Sequence, residues 1–165
     1  MSSRSKKNTI TTGPFLIPEV IDGFENNRLV ITIKNPTNRP LEAEIVIETC
    51  PRPPAPITLP FISNIPEIPV PIHFGPSIVP PMNCTRIELD IFDFEGASLR
   101  VTSRGDYLVG EDRPLCGKLE IEVIGGQGSV SRTTLDLAPG LFNADPSLIF
   151  HYGDFIVCKR KEESC

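Results

Sequence analysis

Tryptophan is absent from this 165-residue chain, and histidine, tyrosine and methionine occur twice each. Sugar-binding and protein-binding sites favour indole and phenol rings, so a site of that kind has little to be built from. The two imidazoles, His73 and His151, stand far apart, with no HxxxH or HExxH spacing to hold a metal. No CxxC pair suggests a zinc knuckle, and no G-x-S-x-G elbow presents a nucleophilic serine. Basic excess is missing too: 16 Lys+Arg against 21 Asp+Glu give a formal net charge of -5, without the footprint of a nucleic-acid binder. No apolar run is long enough for a membrane helix, and no apolar h-region follows the polar residues 1–8. The chain is therefore expected to be made in a reducing cytosol, its cysteines either staying reduced or being oxidised later, as in particles assembled inside a cell and released by lysis. Catalytic residues, metal ligands and cofactors are all expected to be none.

Helical periodicity is also lacking. Proline is abundant instead, at 18 residues against 12 glycines, and proline inside a helix removes a donor and clashes with the preceding turn. Eleven of the prolines fall in residues 51–81. They are interleaved with Ile57, Leu59, Phe61, Ile68, Val70 and Phe74, too many large apolar groups for a disordered linker. This stretch is expected to be an extended excursion packed on the domain, with an edge strand near residues 67–74, since proline is tolerated at sheet edges.

Period-two alternation supplies the positive signal. In residues 41–49, Ala43, Ile45 and Ile47 alternate with Glu42, Glu44, Val46 and Glu48. Residues 85–94, 99–103 and 118–124 alternate likewise, and residues 29–34, 129–137 and 147–158 are further strand candidates. Residues 29–49, interrupted by Asn35-Pro36-Thr37-Asn38-Arg39-Pro40, are expected to form a hairpin. Short strands with one wet and one apolar face predict an all-β fold, an antiparallel two-sheet sandwich of immunoglobulin-like or jelly-roll type. The expected organisation is an N-terminal arm over residues 1–27, a sandwich domain over 28–158 that includes the proline-rich excursion, and a charged tail over 159–165.

Several motifs have plain readings. Arg104-Gly105-Asp106 is a strand-end turn before it is an adhesion tripeptide. Gly125-Gly126-Gln127-Gly128 lacks the lysine and helix of a phosphate loop. Asn83-Cys84-Thr85 matches a glycosylation acceptor that is idle without export. Asp90, Asp93 and Glu95 are a solvated strand end rather than a calcium site.

The cysteines say more. Cys50, Cys84, Cys116 and Cys158 all fall at strand ends and are disulfide candidates, as Cys50–Cys84 with Cys116–Cys158 or as Cys50–Cys116 with Cys84–Cys158. Cys165 is the odd thiol, suited to an intermolecular bond. In the arm, Ile10, Phe15, Leu16, Ile17, Val20 and Ile21 form an apolar segment broken by Pro14 and Pro18, suited to a sheet edge on this subunit or a neighbour.

The run Leu29-Val30-Ile31-Thr32-Ile33-Lys34-Asn35-Pro36 and its continuation to Ile47 resemble the opening hairpin of bacterial immunoglobulin-like surface modules. Cys50-Pro51, Asn83-Cys84, Phe155-Ile156-Val157-Cys158 and the Gly13-Pro14-Phe15 arm are similar to segments of small proteins of spore-forming Bacillota. The resemblance implies a subunit of a spore coat, exosporium or appendage, assembling with itself or with other surface-layer proteins. Arms and cysteine cross-links hold such assemblies together. Here the arm carries no cysteine and the proline belt is longer. The reading is a non-enzymatic, self-assembling surface protein without nucleic-acid or membrane partners, whose arm adds a strand to the next subunit. The alternatives are a monomeric module binding carbohydrate or protein, and a virion decoration protein.

Overall fold

A computed structural model describes residues 7–17, 28–52, 65–91, 94, 96–126 and 146–158, with the backbone alone described at 71–73 and 146–147. Eleven strands are formed among these residues: β1 (Asn8–Leu16), β2 (Arg28–Asn35), β3 (Leu41–Cys50), β4 (Ile68–Val79), β5 (Asn83–Asp90), β6 (Ser98–Gly105), β7 (Leu108–Val109), β8 (Pro114–Leu115), β9 (Glu120–Gly126), β10 (Pro146–Phe150) and β11 (Ile156–Val157). They build a five-stranded sheet in the order β11-β1-β6-β3-β4 and a four-stranded sheet in the order β10-β9-β2-β5. Every pairing within them is antiparallel. β7 and β8 form a small separate hairpin. The fold is an all-β sandwich, as the alternation predicts.

The alternation decides which face is buried. Along β3 every odd residue from Leu41 to Thr49 is buried and every even one is half-exposed. β2, β6 and β9 also turn their odd residues inward. Ile31, Ile45, Ile47, Leu99, Val101, Leu119, Ile121 and Val123 meet between the sheets, all nearly or fully buried. Each such side chain contributes roughly 1.5–3 kcal/mol by leaving water. The outer faces carry charge in cross-strand register. Glu44 lies opposite Arg104, and Glu48 opposite Arg100.

One expectation about connectivity is corrected. β2 and β3 are not a hairpin, because they lie in different sheets and the Asn35–Pro40 link arches between the layers. Asn35 makes the arch possible. Its amide is 1% exposed and donates to the carbonyls of Arg39 and Val79 at 2.8 and 2.9 Å. Its carbonyl oxygen accepts from the Thr37 N–H and hydroxyl. The buried side chain of Asn35 has its polar groups satisfied in this way.

Of the two places expected for the arm, this subunit or a neighbour, its described residues take the first. β1 lies between β6 and β11, paired with β6 from Asn8 to Leu16. Ile17 continues the pairing through its N–H to Ala97 O and its carbonyl to Gly96 N–H. The ladder slips between Thr11 and Pro14, where Gly13 takes φ +70, a conformation that disfavours any residue with a Cβ. At the slip Thr12 Oγ1 accepts the Val101 N–H at 3.2 Å, replacing a lost ladder bond. β11 reaches only Ile10 and Thr11, so Pro14 lies where β1 has one neighbour and its missing N–H costs nothing.

The proline-bearing segment 68–79 is β4, an edge strand with two register irregularities, as its composition predicts. Residues 147–158 divide into β10 and β11 around a single 3-10 turn, Tyr152–Asp154. The strand candidate at 129–137, residues 18–27 of the arm, most of the proline belt before β4 and the tail 159–165 lie outside the described residues.

Asn35→Ala removes the buried amide's bonds to Val79 O and Arg39 O and unties the arch, and is expected to cost about 2–3 kcal/mol. A lower urea midpoint with an unchanged m-value is the readout. Removing residues 1–17 takes a strand from inside the larger sheet. It is expected to abolish cooperative unfolding in a thermal melt, whatever the state of assembly.

Candidate functional site

The rim where β2 ends and β3 begins gathers most of the polar chemistry. Gly105 closes β6 there, and a Cβ on it would stand 2.5 Å from Glu42 O, so only glycine permits the approach. The next residue, Asp106, is 6% exposed. Its carboxylate accepts the Lys7 ammonium at 2.8 Å and the Glu42 N–H at 2.9 Å. Its own N–H donates to Glu42 O, and its carbonyl accepts the Leu119 N–H. One residue thus ties the starts of β1, β3 and β9 to the end of β6. The Asp106 of the Arg-Gly-Asp tripeptide therefore points into the protein.

Beside it Tyr107 is fully buried. Ser103 Oγ donates to Glu44 O at 3.0 Å, which leaves the Tyr107 hydroxyl to donate to Ser103 Oγ at 2.7 Å. The Asn8 amide caps Tyr107 O at 2.8 Å. Tyr152 packs nearby, with ring centroids 6.2 Å apart. Its hydroxyl lies 3.3 Å from both Leu108 O and Leu115 O, fixing the β7–β8 hairpin. Burial pushes both phenols well above their ordinary range. For Tyr107 the Ser103 bond opposes the shift, and for Tyr152 the neighbouring Tyr107, Glu120 and Cys116 add to it.

On the outer face of the smaller sheet, Glu120, Lys34 and Cys84 lie in one cross-strand row and Glu122, Thr32 and Arg86 in the next. All of these but Arg86 line, with Ile121 and Tyr152, an open cleft of about 240 Å³. His151 is exposed, its Nδ1 3.1 Å from Glu122 Oε1. Among the described residues no three His, Cys, Asp or Glu side chains converge as metal ligands. His73 lies in β4 opposite Val46.

Ile10, Phe15 and Ile17 are buried in the chain's own core, and Leu16 is 58% exposed. Val20, Ile21 and Cys165 lie outside the described residues. Cys50, Cys84 and Cys116 are free thiols, so neither cysteine pairing forms. Cys158 is disulfide-bonded, with its partner outside the described residues. The reason is topological. β4 carries the chain back across the sandwich before Cys84, so Cys50 lies at the far end of β3, about 30 Å from the Asn35 rim. A disulfide needs Cα atoms within roughly 7 Å.

The feature that sequence reasoning passed over is the free side of β5. It ends the smaller sheet and pairs with β2 through eight uninterrupted steps, from Asn83↔Asn35 to Asp90↔Arg28. No described strand covers its other side. Asn83, Cys84, Arg86, Glu88 and Asp90 are exposed, while Ile87 and Leu89 face the core. The other sheet edges are blunted: β4 holds Pro69, Pro71 and Pro76, β11 has two residues, and β10 begins on Pro146 with a register slip. The alternation of Arg86 and Glu88 on a proline-free strand was the signal available.

Comparison with protein families, with curated proteins and with solved structures finds no match to this chain.

The tyrosines give a direct test of the rim. Both phenols titrate later in the folded state than their unfolded value of about 10. The unfolded chain therefore loses these protons first, and stability that is complete below pH ~10 falls as pH rises above it. With two tyrosines and no tryptophan, phenolate absorbance is expected to appear above pH 10 only together with unfolding. Tyr107→Phe is expected to flatten that alkaline loss and to cost about 1 kcal/mol at neutral pH.

Proposed function

We propose that this chain is a non-enzymatic structural subunit that assembles with itself by joining sheet to sheet. The observation that carries the reading is the open side of β5: eight regular residues, no proline, no described neighbour. Every second residue of such a strand offers its N–H and C=O outward, which is the template for strand addition. This differs from the arm mechanism in one respect. The described arm residues are already spent at home, with Ile10 and Ile17 fully buried and Lys7 held by Asp106. The edge that receives a strand remains, and the donor becomes another edge. The exposed thiols of Cys84 and Cys116 are available for a covalent lock after release. The setting, a spore coat, exosporium or appendage, rests on the sequence resemblance.

Sedimentation velocity over a concentration series tests the reading, with electron microscopy of concentrated samples. Concentration-dependent dimers or larger assemblies are expected, persisting in reductant because the ladder does not need a disulfide. A monomer at millimolar concentration in both redox states would contradict it.

A further inference from the structure

The order of charges along β5 selects its partner. Cys84, Arg86, Glu88 and Asp90 occupy its outer face in that order, all exposed. When two sheets join edge to edge antiparallel, directly opposed residues share a face. Two copies of β5 related by a two-fold axis can therefore meet in only a few registers. An axis at Arg86 opposes two arginines, and an axis at Glu88 opposes two glutamates. An axis at Ile87 sets each Arg86 opposite a Glu88 and closes a ring of four alternating charges, since Arg86 Nε already lies 2.8 Å from Glu88 Oε1 within one chain. On the inner face the same axis puts Ile87 opposite itself and Thr85 opposite Leu89, extending both apolar interiors. Glu88 is also held by Arg28 at 3.4 Å, which presents its carboxylate on this face.

We propose that the partner of β5 is β5 of a second copy, in the antiparallel register centred on Ile87, giving one continuous eight-stranded sheet across a two-fold dimer. This rests on the self-assembly reading above and specifies its first contact. The mixed charges blunt the edge against arbitrary strands and match it to its own inverted copy. An isologous contact of this type closes on itself, so the dimer is the building block and further growth uses other surfaces. The edge strand of the other layer, β4, borders the same side through the turn after Val79 and carries exposed Ile68 and Ile78.

Charge exchange and a trapped register test the proposal. Arg86→Glu or Glu88→Arg alone puts like charges opposite each other twice per dimer, and is expected to weaken dimerisation about ten-fold or more by sedimentation. The double exchange Arg86→Glu/Glu88→Arg is expected to restore the wild-type constant. Thermal melts of the three variants check that each is folded. In this register position 90 lies opposite Cys84 of the partner subunit, so oxidised Asp90→Cys is expected to run as a reducible dimer, and Cys84→Ser/Asp90→Cys as a monomer. A wild-type chain that associates but ignores both the charge exchange and the cross-link overturns this register and leaves self-assembly standing. A wild-type chain that stays monomeric overturns both.

Discussion

The buried carboxylate of Asp106 holds the architecture in its present connection. It is the point at which the starts of β1, β3 and β9 are tied to the end of β6. Without the Lys7 contact β1 would be an apolar, glycine-bearing strand with a slipped ladder and a two-residue neighbour. The ladder with β6 and the buried Ile10 and Ile17 add to that hold. The ion pair is shielded, with the Asp106 side chain 8% exposed, and such a pair is costly to break from one side. β1 is therefore a resident strand, and among the described residues the sandwich is complete without a donated one.

That completeness shapes the rest. A sandwich with β1 at home has four sheet edges among its described strands, and three of them are blunted by proline or by brevity. The fourth, β5, is regular. Natural sheets defend such edges with charge, and β5 carries charge of both signs in an order that its own inverted copy satisfies. Self-recognition thus needs no aromatic anchor, in keeping with a chain that has no tryptophan and has spent both tyrosines on the rim.

Much of the fold is legible in the residues. The alternation of Ala43, Ile45 and Ile47 with glutamates announces a half-wet strand, and the prolines of 68–79 announce an edge. What alternation cannot tell is the neighbour. It selects which side chains are buried, not which strand lies beside them, so the Asn35–Pro40 link reads equally as a hairpin or an arch. The buried amide of Asn35, reaching forward to Val79, decides for the arch. The same gap misplaces the cysteines. Strand ends suggest shared rims, but β4 crosses the whole sandwich between Cys50 and Cys84. Phe15 and Ile17 look suited to any apolar pocket, and only the pairing of β1 with β6 assigns them to this one.

Hydrogen–deuterium exchange of the protein, dilute against concentrated, tests the central claim most directly: that β1 stays at home while β5 makes the contact. Amides of β1 are expected to exchange slowly and alike in both conditions, while outward-facing amides of β5 become protected on association. Protection that appears in β1 and not in β5 would contradict the account.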